Sequence, residues 1–276
     1  MADAAVAALN SLLRRASIDD PDEALRLAND AIKAAKASPA DLLTAQHTKV
    51  VALLKLDRFD DVLRTIADAG DALARRCPLE RAYALYKTGH LDDAAALSSA
   101  AADGDIAATA ARGLRHVGAQ AAYRSERFDD AAAQYRRLLG DEGEGGQAGE
   151  EGDVRVNLLA AQAQLELAGR GARVPPADRQ PAREDLEAFE PAYNAACACL
   201  GRGDFARATV LLKRARDLCA ASEELSEDEK RAELLPIQVQ QVYALARQGK
   251  TDEAAALHDA IDLSEYVPPR RGPPPC

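Results

Sequence analysis

Few side chains in this sequence could do chemistry. They are His47, His90, His116 and His258, five cysteines, and a carboxylate pair that recurs along the chain. No two histidines have a metal-ligand spacing such as HExxH, which places two imidazoles on one helical face. Cys197 and Cys199 are two residues apart, so on a helix they point to different faces and read as packing residues. Gly201-Arg202-Gly203 follows no strand and does not read as a phosphate loop. The acidic pairs resemble general acid–base carboxylates, but each opens an apolar helical run. A carboxylate there accepts backbone N–H bonds and complements the helix dipole. No catalytic residue, cofactor or metal ligand is expected, and no enzyme.

Composition narrows the classes further. The net charge is −10 with a pI of about 5.0, whereas nucleic-acid binders show basic faces because phosphate neutralisation supplies their affinity. Direct RNA contact and a small-molecule substrate are not expected. Cys77, Cys197, Cys199, Cys219 and Cys276 are odd in number and irregularly spaced. Met1 to Asn10 has no basic leader, and no apolar run reaches spanning length. A cytoplasmic chain with free thiols and no membrane insertion is expected.

The elements that must position these residues can be read from one short pattern. A bulky residue or its substitute, two mostly acidic residues and a small residue recur as Pro21-Asp22-Glu23-Ala24, Phe59-Asp60-Asp61-Val62, Leu91-Asp92-Asp93-Ala94 and Phe128-Asp129-Asp130-Ala131. Phe205-Ala206-Arg207-Ala208 and Thr251-Asp252-Glu253-Ala254 come later in the chain. The small residue stands at 24, 62, 94, 131, 208 and 254, in steps of 38, 32, 37, 77 and 46. The long step is about two repeats, so a degenerate unit is expected between 150 and 185. Apolar helical runs precede the turns, as in Leu42 to Leu56, Leu79 to Thr88 and Ile106 to Ser125. Gly89, Gly203 and Gly249 supply turn conformations. Ala dominates an apolar content of 47%, with aromatics only 4%, which suits close-packed helices rather than a sheet.

A helix–turn–helix unit with a period in the thirties is the tetratricopeptide (TPR) arrangement. The expected fold is all-α: a TPR-like right-handed superhelix of helical hairpins over residues 1–266. Its units fall near 5–37, 40–69, 78–102, 106–139, a degenerate 154–185, 187–221 and 232–263. Residues 140–153 are Gly-rich and acidic with nothing to bury, so a flexible loop is expected there. Residues 267–276, with five prolines, are expected to be a disordered tail.

In such a stack the first helix of each unit lines an inner groove. The positions expected there are His47, Val51, Leu54 and Lys55, then Tyr83, Tyr86 and Lys87, then His116, Gln120, Tyr123 and Arg124. A cation recurs just before the turn as Lys55, Lys87, Arg124 and Arg247. It either stabilises its own helix C-terminus or donates to the carbonyls of an extended guest chain. Tyrosines are amphipathic anchors of the kind enriched at interfaces.

Several segments resemble a known family. They are Ala45 to Val51, Glu80-Arg81-Ala82-Tyr83, Tyr123 to Phe128, Tyr193 to Ala198, Asp217-Leu218-Cys219 with Leu225 to Asp228, and Gln248 to Ala254. In this order, from about residue 8 to 265, they are similar to the N-terminal TPR region of the 72-kilodalton subunits of the signal recognition particle. The resemblance implies a protein-binding scaffold that holds the C-terminal region of the 68-kilodalton partner subunit as a heterodimer, in co-translational targeting to the endoplasmic reticulum. It also implies cytoplasmic residence, with nuclear or nucleolar stages during assembly. The family's RNA contact lies in a basic segment that nothing here matches. The alternative is a TPR co-chaperone or adaptor that clamps a peptide C-terminus. Such a clamp needs Lys and Asn at set places on adjacent first helices; Asn194 suits one such place, but the neighbouring units lack the set.

Overall fold

The structure is a computed structural model that describes residues 20–34, 38–100, 108–140, 150–181 and 186–261. Among the described residues there are thirteen α-helices, two 3-10 turns and no strand, as the all-α TPR-like class requires. The chain divides into two compact units, residues 1–154 and 155–276.

The first unit contains α1 (Pro21–Ala34), α2 (Pro39–Lys55), α3 (Phe59–Ala69), α4 (Asp71–Arg76), α5 (Pro78–Thr88), α6 (Leu91–Ala100), α7 (Ala108–Arg124) and α8 (Phe128–Gly140). Successive helices pack as antiparallel neighbours, and α5 also packs on α3 before it and α7 after it. The short α4 was not anticipated. It seats Leu73 and Cys77 in the core formed by Val50, Leu53, Val62 and Ile66. The helix α9 (Glu150–Leu167) runs into the second unit, which continues with 3-10 turns at Gly171–Arg173 and Pro176–Arg179. It ends with α10 (Phe189–Arg202), α11 (Phe205–Ala221), α12 (Glu227–Arg247) and α13 (Thr251–Asp259). Glu150 to Asp153 therefore open a helix and Gly140 closes one, where a loop over 140–153 was expected. Residues 141–149, the tail 267–276 and the start of the first expected repeat lie outside the described residues.

One backbone turn links the helices of each hairpin. A residue with positive φ ends the first helix, and the next N–H bonds to the carbonyl five residues back, which satisfies a helix-end carbonyl. The positive-φ residues are Asp57, Gly89, Glu126, Gly169, Gly203 and Gly249. The bonds are Arg58 to Leu53 (2.9 Å), His90 to Leu85 (2.9 Å), Arg127 to Ala122 (2.9 Å), Arg170 to Leu165 (2.8 Å), Asp204 to Cys199 (2.9 Å) and Lys250 to Leu245 (3.0 Å). Gly169 falls inside the 77-residue step and marks the hidden repeat. Asp57 and Glu126 hold a conformation that costs an L-residue about 1 kcal/mol or more.

The small residue just beyond each turn is buried in every case: Ala24, Val62, Ala94, Ala131, Ala208 and Ala254 are at most 6% exposed. The acidic pairs do less capping than expected. Arg58 and Lys250, at the N-caps of α3 and α13, make no side-chain cap bond. Asp60, Asp61, Asp252 and Glu253 stand inside the first turn and complement the dipole instead. Side-chain caps come from Asp20, Ser38, Asp204 and Ser226, the last in a reciprocal capping box with Glu229.

The degenerate unit keeps its turn and loses its second helix. Gly171 stands where other turns carry Phe, Leu or Thr, and a Cβ there would lie 1.8 Å from the Glu166 carboxylate. The space is used by buried Glu166, which pairs with Arg202 (3.1 Å) and Arg179 (3.6 Å). Gln162 donates to Asp178 at 2.9 Å, and Arg202 donates to the Arg179 carbonyl at 3.3 Å. These bonds hold the segment around Pro175, Pro176 and Pro181, which prolines bar from a continuous helix.

Two glycine substitutions are expected to act in opposite directions. A Cβ at Gly201 would stand 2.6 Å from the backbone of Glu166 and Leu167, where α9 and α10 cross. Backbone cannot yield as a side chain does, so Gly201→Ala should destabilise by about 1–3 kcal/mol. Gly152, within α9, has open space around it. Gly152→Ala should stabilise by about 0.5–1 kcal/mol through helix propensity. Urea denaturation monitored by circular dichroism reads both.

Candidate partner-binding surface

In the first unit an aromatic and cationic run is centred on α5. The Phe59 ring, at the start of α3, meets Tyr83 edge-on at 5.9 Å, and Tyr83 lies 6.5 Å from Tyr86. The Lys87 ammonium stands 5.2 Å from the Phe59 ring centre and 5.9 Å from that of Tyr83. The Arg124 guanidinium covers Tyr86 at 4.8 Å and donates to the Tyr86 carbonyl at 2.8 Å. Tyr123 packs edge-on against Phe128 at 5.4 Å. The i, i+4 spacing of Tyr83 and Lys87 puts both on one face of α5, and the preceding turn delivers Phe59 beneath them.

The second unit repeats the device. Phe205 opens α11 and meets Tyr243 of α12 at 6.2 Å. Arg247 stands 4.5 Å over Phe205 and 5.5 Å over Tyr243, and bonds the Tyr243 hydroxyl at 2.5 Å. Sequence reasoning missed Phe59, Phe128, Phe205 and Tyr243. The available signal was the phenylalanine of the turn pattern paired with a Tyr-x3-cation ending on the next first helix.

The other expected positions fall in different surroundings. Leu54 packs against the core of α2, α3 and α4, and Val51 is half-buried. Lys55 and Arg124 are exposed, while His116, Gln120 and Tyr123 are half-buried. His47 meets the first turn of α5, one turn before Tyr83, bonding Glu80 at 3.1 Å with Arg76 3.5 Å from its other ring nitrogen. Asn194 already donates its side-chain amide to the Val156 carbonyl at 3.2 Å, so the clamp position is engaged within the fold.

Arg124 follows neither reading of the recurring cation as stated, because its bond goes to a neighbouring helix and not to its own C-terminus. It neutralises the C-terminal carbonyl end of the neighbouring helix α5, so it serves the dipole of the unit before it. Lys87 keeps its three ammonium protons for other acceptors, because a ring face uses only its charge. Tyr83 is 37% exposed and is the aromatic surface that remains open in the run.

The four described thiols are all buried and poor nucleophiles. Burial pushes the Cys197 thiol up to about 11 and the Cys77 thiol up to about 12, so both stay protonated near neutral pH. Sequence spacing gives His47 no neighbour of the metal-ligating kind, but the fold brings two such side chains to it. Cys77 and Glu80, 30 and 33 residues further on, meet His47 in the folded chain.

Arg124→Ala is expected to cost about 1–2 kcal/mol of stability, from one cation–π contact and one charged hydrogen bond. Lys87→Ala should cost under about 1 kcal/mol. Chemical denaturation of the two variants checks the order.

The profile of the family SRP_TPR_like, a TPR-like repeat, matches residues 19–164. The signal recognition particle subunit SRP72 of Canis lupus familiaris is 33% identical over 232 residues, covering 80% of this chain and 31% of that protein. The Homo sapiens subunit SRP72 is 32% identical over 232 residues, with the same coverage. That of Caenorhabditis elegans is 28% identical over 223 residues, covering 79% of this chain and 32% of that protein. The chain thus spans about a third of the length of the curated relatives it matches. On this match of fold, turn pattern and sequence, the chain belongs to the SRP_TPR_like family of TPR-like repeats.

Proposed function

We propose that this chain is a non-catalytic, protein-binding scaffold of the signal recognition particle. It grips an extended C-terminal region of the 68-kilodalton subunit to form the heterodimer used in co-translational targeting. The similarity to SRP72 over 80% of the chain supports the particle. The observation that carries the binding mode is the half-open aromatic run on α5. Tyr83 offers a desolvating face beside the Lys87 ammonium, which suits a guest with exposed carbonyls or acidic side chains. Residues 40–125 hold the primary contact, with the remaining groove positions Val51, Leu54, Lys55, His116 and Gln120 flanking it. No described helix is long and apolar enough to cross a membrane, and the proposed site of action is the cytoplasm. The acidic net charge favours a protein guest over direct RNA contact.

The test is fluorescence anisotropy with labelled overlapping peptides from the C-terminal region of the 68-kilodalton subunit. Tyr83→Ala should weaken binding about tenfold or more, as expected of an aromatic anchor. Lys87→Ala should weaken it less, and its deficit should shrink at high salt because exposed charges are screened. Tyr123→Ala tests stability and binding together, since its ring also packs on Phe128. If Tyr83→Ala and Lys87→Ala remain helical and bind like the parent, the assignment to α5 is wrong. A chain that binds none of the peptides overturns the partner itself.

A further inference from the structure

At the N-terminal end of α5, before the aromatic run, three side chains from two hairpins converge. His47 comes from the middle of α2, Cys77 directly precedes α5, and Glu80 lies in the first turn of α5. One donor atom of each lies within 4.8 Å of the other two, and His47 Nε2 is 3.1 Å from a Glu80 oxygen. We propose that His47, Cys77 and Glu80 form a binding site for one divalent transition-metal ion of the zinc class, with water completing the shell.

The donor set carries the choice of metal. One imidazole nitrogen, one sulfur and one carboxylate oxygen are borderline ligands that suit zinc, whereas calcium and magnesium take all-oxygen shells. Tetrahedral bonds of about 2.0–2.3 Å put donor atoms roughly 3.3–3.8 Å apart. The His47–Glu80 pair is already at about that spacing, and the whole set lies within 4.8 Å. Cys77 is fully buried on a fixed helix entry, while His47 and Glu80 are half-buried and keep one side of the site open to water. The two-residue gap between Cys77 and Glu80 is the spacing by which zinc motifs bring two ligands together at one turn.

Ion binding requires two adjustments. The Cys77 proton must leave for solvent, giving a thiolate whose charge, with that of Glu80, balances the ion. An imidazole that binds through Nε2 carries its proton on Nδ1, so Arg76 can no longer donate there. Arg76 is exposed and able to turn away, and its positive charge opposes the ion. The ion would link α2 to α5, two successive hairpins. Because the unfolded chain does not hold the three donors together, binding stabilises the fold.

The site shares α5 with Tyr83 and Lys87, but its test needs no partner. The tag-free full chain carrying Cys276→Ser is freed of metal and titrated with Co(II) as the spectroscopic probe, then with Zn(II). One Co(II) per chain should bind, with a thiolate-to-cobalt charge-transfer band in the near ultraviolet that Zn(II) bleaches. Zn(II) should raise the melting temperature. Cys77→Ser should abolish the charge-transfer band. His47→Gln and Glu80→Gln should weaken Co(II) binding at least tenfold, and Arg76→Gln should tighten it several-fold. Circular dichroism confirms that each variant is folded, and the half-buried His47 and Glu80 provide arms that do not disturb the core at Cys77. Absence of the band overturns the proposal, as does its survival in Cys77→Ser. Binding unchanged by His47→Gln overturns it as well.

Discussion

Everything in this chain depends on one hydrogen bond repeated six times among the described residues. The N–H after a positive-φ residue reaches the carbonyl five positions back and reverses the backbone into the next helix. The bond fixes the helix end to the residue, and with it the register of the helix beyond the turn. The buried small residue always arrives where α-helices must cross closely, and a bulky first residue arrives at the seam between units. At Phe59 and Phe205 that seam meets a tyrosine and a cation of the next first helix. Local turn geometry thus sets the lateral contacts of the stack, and contacts between neighbours are what hold a repeat array together.

The degenerate unit shows which part of the repeat is dispensable. Its turn at Gly169 has the same bond as the others, but no bulky residue comes after it. With Gly171 there, the seam is filled by the Glu166 carboxylate and its arginines instead of a ring. Glu166 is buried while its arginines are partly exposed, so removing the arginines would leave an uncompensated buried carboxylate. The second helix is replaced by two 3-10 turns whose carbonyls bond those same arginines: Arg179 donates to Gly171 and Arg202 to Arg179. The polar network substitutes for apolar burial where three prolines exclude a helix.

The turn pattern made the hairpins legible in the sequence, because Asp-Asp after a bulky residue is a local signal with a local cause. Gly169 escaped because Gly171-Ala172-Arg173 after it has neither the bulky first residue nor the acidic pair. The helix α4 escaped because its six residues show too little periodicity to stand out. The groove was only partly legible. Helical spacing places Tyr83 and Lys87 together, but no local rule says that Phe59 lies beneath them or that Arg124 bonds the Tyr86 carbonyl. The meeting of His47, Cys77 and Glu80 is further from reach, since it depends on the stacking of successive hairpins.

The same stacking limits which groups can serve a guest. A cation placed over a ring loses little of its hydrogen-bonding capacity, whereas one that also donates to the carbonyl end of a neighbouring helix is committed. Lys87 is in the first state and Arg124 in the second, although both precede a turn and look alike in sequence. A row of equivalent donors one repeat apart is therefore not what the first unit presents. It presents one open aromatic face with one adjacent ammonium, on a helix anchored from both sides. The anchoring favours affinity as well as stability, because Phe59 and Tyr86 hold Tyr83 in place before a guest arrives and reduce the rotamer entropy lost on binding. In this chain the contacts that join the repeats and the contacts offered to a partner are made by neighbouring faces of the same rings.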